Sequence, residues 1–267
     1  MLDEPAINKP LIGVALAVAI AAFGGWYYWH THHAAIPPPA AVAATPPAVP
    51  AAPDDAIEHP VPAGEPSKTP LPELGDSDGA LSAALSEAGG GAVTHYLVAD
   101  NIVRHIVVTV DNLPRQKVAV DKRPIMPTAG IFAAEGDELH GTLDSQNFQR
   151  YQPLVSLLQE ADMQRLAAVY LRFYPLFQKA YQDLGYPNGY FNDRLVQVID
   201  VLLATPQVTG PIDLVRPNVM YLFADPTLEA RPAGQKLLIR MGPANAAAVK
   251  AKLTELRAII TTAAPKH

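Results

Sequence analysis

Three groups of side chains in this 267-residue sequence have chemistry to offer: clustered carboxylates, histidines, and one Asn-Asp-Arg run. Two acids cleave a glycosidic bond when one protonates the leaving oxygen and the other serves as base or nucleophile. Glu135, Asp137, Glu138, Glu160 and Asp162 are the candidates. The first three fall in a predicted turn, and the last two at a helix end and a cap, where acids serve solvation and capping. The pattern therefore assigns no catalytic residue. Eight histidines raise the question of metal. His30, His32 and His33 follow an apolar run, while His95 and His105 would point about 80° apart on one helix. A zinc site needs three or four convergent ligands, so neither a metal nor a cofactor is expected. The absence of cysteine removes thiolate metal sites, disulfides and a cysteine nucleophile. No serine-hydrolase or phosphate-loop motif occurs.

Asn192-Asp193-Arg194 opens a predicted helix behind a turn that holds Tyr186, Tyr190 and Phe191. Rings for contact and polar groups for hydrogen bonds make Tyr190, Asn192, Asp193 and Arg194 a candidate binding site. A structural alternative gives Asp193 to the helix N-terminus and pairs Arg194 with an acid inside the fold. A second candidate is electrostatic. From Arg231 to His267, seven bases stand against one acid, in a chain whose net charge is −6. Lys236, Arg240, Lys250 and Lys252 could contact an anionic cell-wall polymer, a lipid headgroup or an envelope protein. The alternative is pairing with the acidic body of the same chain. The overall negative charge argues against nucleic acid as a partner.

These groups need elements to position them, and the chain is sharply divided. Leu11 to Trp29 is nineteen residues without a charge, closed by Trp26, Tyr27, Tyr28 and Trp29. A bilayer core takes about 20 apolar residues as helix, with aromatic rings at the headgroup level. A cleaved signal peptide fits less well, because Asp3 and Glu4 outnumber Lys9 and no small-residue cleavage site follows. The run is predicted to be a transmembrane helix, residues 11–29, with residues 1–10 cytoplasmic. Lys9 lies before the span and no further Lys or Arg appears until Lys68, which places the remainder outside the cytoplasm. Residues 30–73 form a Pro/Ala-rich linker: from Ala34 to Pro72, twelve residues are Pro and eleven Ala. Such a chain favours polyproline II and acts as a semi-rigid spacer. Pairs such as Pro47 and Pro50 also fit a PxxP ligand, the sharper but less economical reading.

Residues 74–260 carry helical periodicity, and residues 261–267 a disordered tail. Asp76-Ser77-Asp78 caps a first helix. Val93 to Val110 reads as one long helix ending before Pro114. Ile131 to Leu143 suggests a small β-hairpin around Glu135-Gly136-Asp137. Helices follow from Phe148 to Leu158, from Asp162 through Tyr181 with a kink or break at Pro175, and from Phe191 to Leu202. Asp225-Pro226 caps a short one, Pro232 interrupts it, and further helices run from Gln235 to Met241 and from Pro243 to Ile260. The fold class is mostly α: an irregular helical bundle with a small β-hairpin.

The stretches Tyr181-Gln-Asp-Leu-Gly-Tyr-Pro-Asn-Gly-Tyr-Phe-Asn-Asp-Arg-Leu, Phe223-Ala-Asp-Pro-Thr-Leu-Glu, Gly234-Gln-Lys-Leu-Leu-Ile-Arg-Met-Gly-Pro-Ala-Asn and Val110-Asp-Asn-Leu-Pro-Arg resemble the motifs of one family. It is the uncharacterised bacterial envelope family known as domain of unknown function 3014. The resemblance covers about residues 71–260. It implies an anchor and a Pro/Ala spacer ahead of the domain, and it brings no activity. The expectation is a single-pass protein of the bacterial inner membrane, its helical domain in the periplasm as a binding or scaffolding module. The alternatives are an enzyme acting on cell-wall glycan and a mechanical coupler between inner membrane and wall.

Gly13, Ala17, Ala21 and Gly25 recur at four-residue steps within the apolar run. On a helix they would form one face, and small residues let two backbones approach in lipid. A weak homodimer through that face follows. Replacing Ala17 and Ala21 by Ile should abolish self-association of the isolated span in a membrane two-hybrid assay. An unchanged signal would remove this face from the account.

Overall fold

The computed structural model describes residues 57–62, 70–137 and 139–262. The apolar run with Gly13, Ala17, Ala21 and Gly25, the first three histidines, the PxxP pairs, Glu138 and residues 263–267 lie outside the described residues. Among the described residues no helix is long and apolar enough to cross a membrane.

The architecture is mostly helical. Helices α1 (Asp78–Gly89), α2 (Ile102–Asn112), α3 (Gln146–Glu160), α4 (Met163–Asp183) and α5 (Phe191–Leu203) are followed by α6 (Pro226–Glu229), α7 (Ala233–Arg240) and α8 (Pro243–Ile260). The amphipathic stripe read from the sequence puts α4 at the centre, where it packs against α1, α2, α5 and α8. Its Phe173, Phe177 and Tyr181 are buried with Leu81, Ile102, Val103, Val107 and Phe191. The rings of Phe177 and Phe191 stack at 5.9 Å, and those of Tyr181 and Tyr186 at 4.6 Å. Such pairs add to the area they bury.

Local signals set several boundaries. Asp162 accepts hydrogen bonds from the amides of Gln164 and Arg165 at the start of α4, and Asp225 accepts one from Thr227 before Pro226 opens α6. Each satisfies an amide that the helix leaves without a partner.

Two expectations need correction. The single long helix from Val93 to Val110 is instead a 3₁₀ turn (Gly91–Tyr96) followed by α2. Between them Leu97 bridges Ile125 in antiparallel fashion. Asn101 adopts φ 54°, and its amide and that of Ile102 donate to the Asp78 carboxylate at 2.7 and 2.8 Å. Asp78, in the first turn of α1, therefore caps α2 across 23 residues. His95 and His105 consequently occupy different elements. The second correction concerns Pro175, which does not divide α4. A proline removes one helical hydrogen bond, but Phe173, Tyr174, Leu176 and Phe177 around it are all buried, and packing holds the helix together.

The predicted hairpin is present as β1 (Ala134–Gly136) and β2 (His140–Leu143). It belongs to a four-stranded antiparallel sheet in the order β1-β2-β3-β4, with β3 at Asp213–Val215 and β4 at Leu222–Phe223. The last two strands have three and two residues, too few to show an alternation. Long-range pairing creates them: Gly141 lies opposite Leu214. Beneath the sheet Leu143, Leu214, Phe223 and Ile239 form a second core.

Gly234 shows how tightly α7 is seated. A Cβ there would lie 2.6 Å from Leu202 Cδ2 and 3.2 Å from the Leu113 carbonyl oxygen. Gly234→Ala should cost about 1–3 kcal/mol through overpacking and lower Tm by roughly 2–4 °C for each kcal/mol. Gly79→Ala, in open space on α1, should raise stability by about 0.5–1 kcal/mol. Differential scanning calorimetry of the two variants checks both signs.

Candidate functional site

The Asn-Asp-Arg run and the tyrosine before it come together at the N-terminus of α5, but they face two different environments. Arg194 points inward. Its guanidinium donates to Asp111 Oδ1 at 3.1 Å and to the Asp111 carbonyl at 2.9 Å, and a further donation reaches Gln197 Oε1 at 2.6 Å. Asp111 also accepts from Arg115 at 2.6 Å and from the Tyr186 hydroxyl at 3.3 Å. The Asp111 side chain is 3% exposed and that of Arg194 13%. This carboxylate was missed as a site residue, although Val110-Asp-Asn-Leu-Pro-Arg stood out as a motif. The amides of Ala233 and Gly234 in turn donate to the carbonyls of Arg115 and Leu113. Three of the four motifs therefore meet around Asp111.

Tyr190, Asn192 and Asp193 face a short length of the chain's own linker. The amides of Glu58 and His59 donate to the two carboxylate oxygens of Asp193, at 3.2 and 2.6 Å. The Asn192 side-chain amide donates to the carbonyl of His59 at 2.7 Å and to that of Ile260 at 3.1 Å. The amide of Val61 donates to the Tyr190 hydroxyl at 3.0 Å. Asn192 is fully buried and accepts from the Tyr170 hydroxyl at 2.9 Å. Burial pushes the Tyr170 and Tyr174 phenols far above their ordinary range, so both remain donors. Tyr181 behind them is pushed up to about 12, again by burial first. Asp193 lies in the first turn of α5, where its charge faces the positive end of the helix, and its side chain also binds the amides of residues 58 and 59. Beside it a groove of about 420 Å³ runs along α5, lined by Glu58, His59, Asp193, Gln197, Asp200 and Ala204 among others. At its edge the Arg257 guanidinium, hydrogen-bonded to Asp200, holds that carboxyl below its usual range.

Lys236, Lys250 and Lys252 reach the ends of other helices, and Arg240 reaches strand β4. Lys236, 8% exposed, donates to Glu229 Oε1 at 2.6 Å and to the Glu229 carbonyl at 3.1 Å. Burial raises the Glu229 carboxyl, but the hydrogen bonds from Lys236 and the Phe223 amide outweigh it and hold the group below its ordinary value. Arg240 lies 4.7 Å over the Phe223 ring and donates to the Tyr221 carbonyl at 2.9 Å. Lys250 donates to the Thr205 carbonyl just past α5. Lys252 donates to the Ala161 carbonyl just past α3 at 3.0 Å. Cations at these positions satisfy carbonyls that a helix end leaves open and offset its negative pole. A second concavity of about 410 Å³, with Phe148, Val208, Ile212, Leu238 and Ile239 in its wall, has Lys250 at its border.

The candidate acids are dispersed. Glu135 lies on β1, Asp137 accepts the amides of Leu139 and His140 in the hairpin turn, Glu160 ends α3 and Asp162 caps α4. Among the described residues, no group of three or more His, Asp or Glu side chains could hold a metal ion.

Asp111→Ala would leave the Arg194 cation buried without its partner. Urea unfolding should show a loss of about 3–5 kcal/mol. Asp111→Leu with Arg194→Met, which removes both charges, should lose markedly less. Equal losses would mean that packing rather than charge dominates at this point. No curated protein and no solved structure matches the chain. A family model described as protein of unknown function (DUF3014) matches residues 102–257, more than half of the chain. That span contains Asp111 and its partners Arg115, Tyr186 and Arg194, together with Lys236 and Glu229, and the chain belongs to this family.

Proposed function

We propose that this chain is a single-pass envelope protein of the inner membrane, whose helical domain stands in the periplasm as a binding or scaffolding module. The apolar run at residues 11–29 and the Pro/Ala-rich stretch after it support the anchor and the spacer. One observation supports binding in particular. Tyr190, Asn192 and Asp193 hold a short bent backbone entirely through side chains. Donors and acceptors matched to successive backbone groups of a peptide are what recognition requires. A mechanical coupler is the second reading, because tension along the spacer would act first on these same contacts.

Two measurements test this. An alkaline phosphatase fusion after Pro72 should be active and a GFP fusion there dark; bright cytoplasmic fluorescence would reverse the orientation. A photo-crosslinking residue at exposed Ala204, beside the groove, should capture an envelope protein in intact cells. One at exposed Val120 should not. Identical products at both positions would remove the groove from the proposal.

A further inference from the structure

The segment Ile57–Pro62 is held in an unusual way. The amides of residues 58, 59 and 61 all donate to side chains of the domain, and the carbonyl of residue 59 accepts from one. Residue 60 is proline and has no amide to satisfy. Its own side chains contribute little burial: Ile57 is 51% exposed, and Glu58 and Pro60 are also exposed. His59, Val61 and Pro62 are half-buried, and Val61 packs against the aromatic core of α4 and α5. The domain therefore reads backbone at four points and one apolar side chain.

Recognition of this kind has a definable ligand. It wants a bend that turns two successive amides to one carboxylate, a residue that need not donate, then an apolar residue whose amide can donate. Written as sequence, that is any-any-Pro-apolar-Pro, with each proline fixing its φ in advance. Pro70-Leu71-Pro72 repeats the Pro-apolar-Pro unit, and Leu71 also packs against the same core. The acceptor side chains lie within the matched family span, residues 102–257, whereas the occupant lies upstream of it.

We propose that Tyr190, Asn192 and Asp193 form a peptide-acceptor site for a short, proline-containing segment of another protein, and that Ile57–Pro62 occupies it in cis until that segment displaces it. This rests on the reading of the domain as a binding module. The occupant belongs to the same chain as the site, so its effective concentration is on the order of millimolar. A competing segment must overcome that concentration. Its apparent affinity falls by the fraction of chains in which the site is open. Any change that loosens Val61 raises that fraction.

The test uses the full chain and a synthetic peptide of its own residues Ala56–Gly64. Excess peptide should speed amide hydrogen exchange at His59 and Val61 of the chain by about tenfold or more, as the cis segment is displaced. A peptide with Pro at the position of His59, which cannot donate to Asp193, should have no such effect. By fluorescence anisotropy, Val61→Ser chain should bind labelled peptide at least tenfold tighter than wild type. Adding Asp193→Asn to that chain should abolish binding while circular dichroism stays unchanged. Exchange at His59 and Val61 that ignores millimolar peptide, in a chain that remains folded, overturns the proposal. So does a wild-type dimer that dissociates on adding peptide, which would give the site to a second copy of this chain. Peptide binding without any crosslinked partner in cells would leave this site standing and defeat the broader functional reading.

Discussion

Asp111 keeps its carboxylate at 3% side-chain exposure with two guanidinium groups and a tyrosine hydroxyl around it. A carboxylate this buried is tolerated only when its partners are in place. That requirement ties together segments far apart in the chain. Arg194 brings in the start of α5, and Tyr186 the turn before it. Arg115, through its carbonyl, brings in the start of α7. Leu202 and Leu113 leave no room for a side chain at Gly234. One desolvated charge thus sets where α2, α5 and α7 meet.

The linker end depends on that arrangement. Tyr190, Asn192 and Asp193 follow directly from the turn that carries Tyr186, so the placement of Arg194 also aims its neighbours. Successive residues at the first turn of a helix point in different directions. Arg194 reaches inward to Asp111, while Asn192 and Asp193 reach the segment at residues 58–61. The same five-residue stretch, Tyr190 to Arg194, supplies both a structural lock and a surface that grips backbone. Asn192 also holds the carbonyl of Ile260, joining the last helix to the clamp.

The basic C-terminal region has a parallel logic. Lys236, Lys250 and Lys252 each donate to a backbone carbonyl at or just past the end of a helix. Long flexible side chains can place an ammonium there while their stems cover apolar surface. Charge that looks surplus in a linear count closes helix ends in three dimensions. Net charge along a chain says nothing about which carbonyl lies within reach, so the sequence could not separate this outcome from an anion-binding face.

Local chemistry determined much of what was legible in advance. Asp162 and Asp225 cap the helices after them because the cap needs only the next three residues. The stripe Phe173, Phe177 and Tyr181 specified the buried face of α4 through its period alone. The β1-β2 hairpin was readable because its turn and both strands lie within thirteen residues, 131–143. The motifs carried family membership in the same linear way. Tertiary structure decided everything that depends on distant partners. Asp78 interrupts the expected helix from Val93 to Val110 by capping α2 from 23 residues away. Burial of Phe173, Tyr174, Leu176 and Phe177 carries α4 through Pro175. Strand β3 exists because β2 offers it a hydrogen-bonding edge, and β4 because β3 offers it the next one. Asp193 faces residues 58 and 59 because the fold brings segments 134 residues apart within hydrogen-bonding distance. A sequence records which groups can form a bond; only the packed chain determines which of them are close enough to do so.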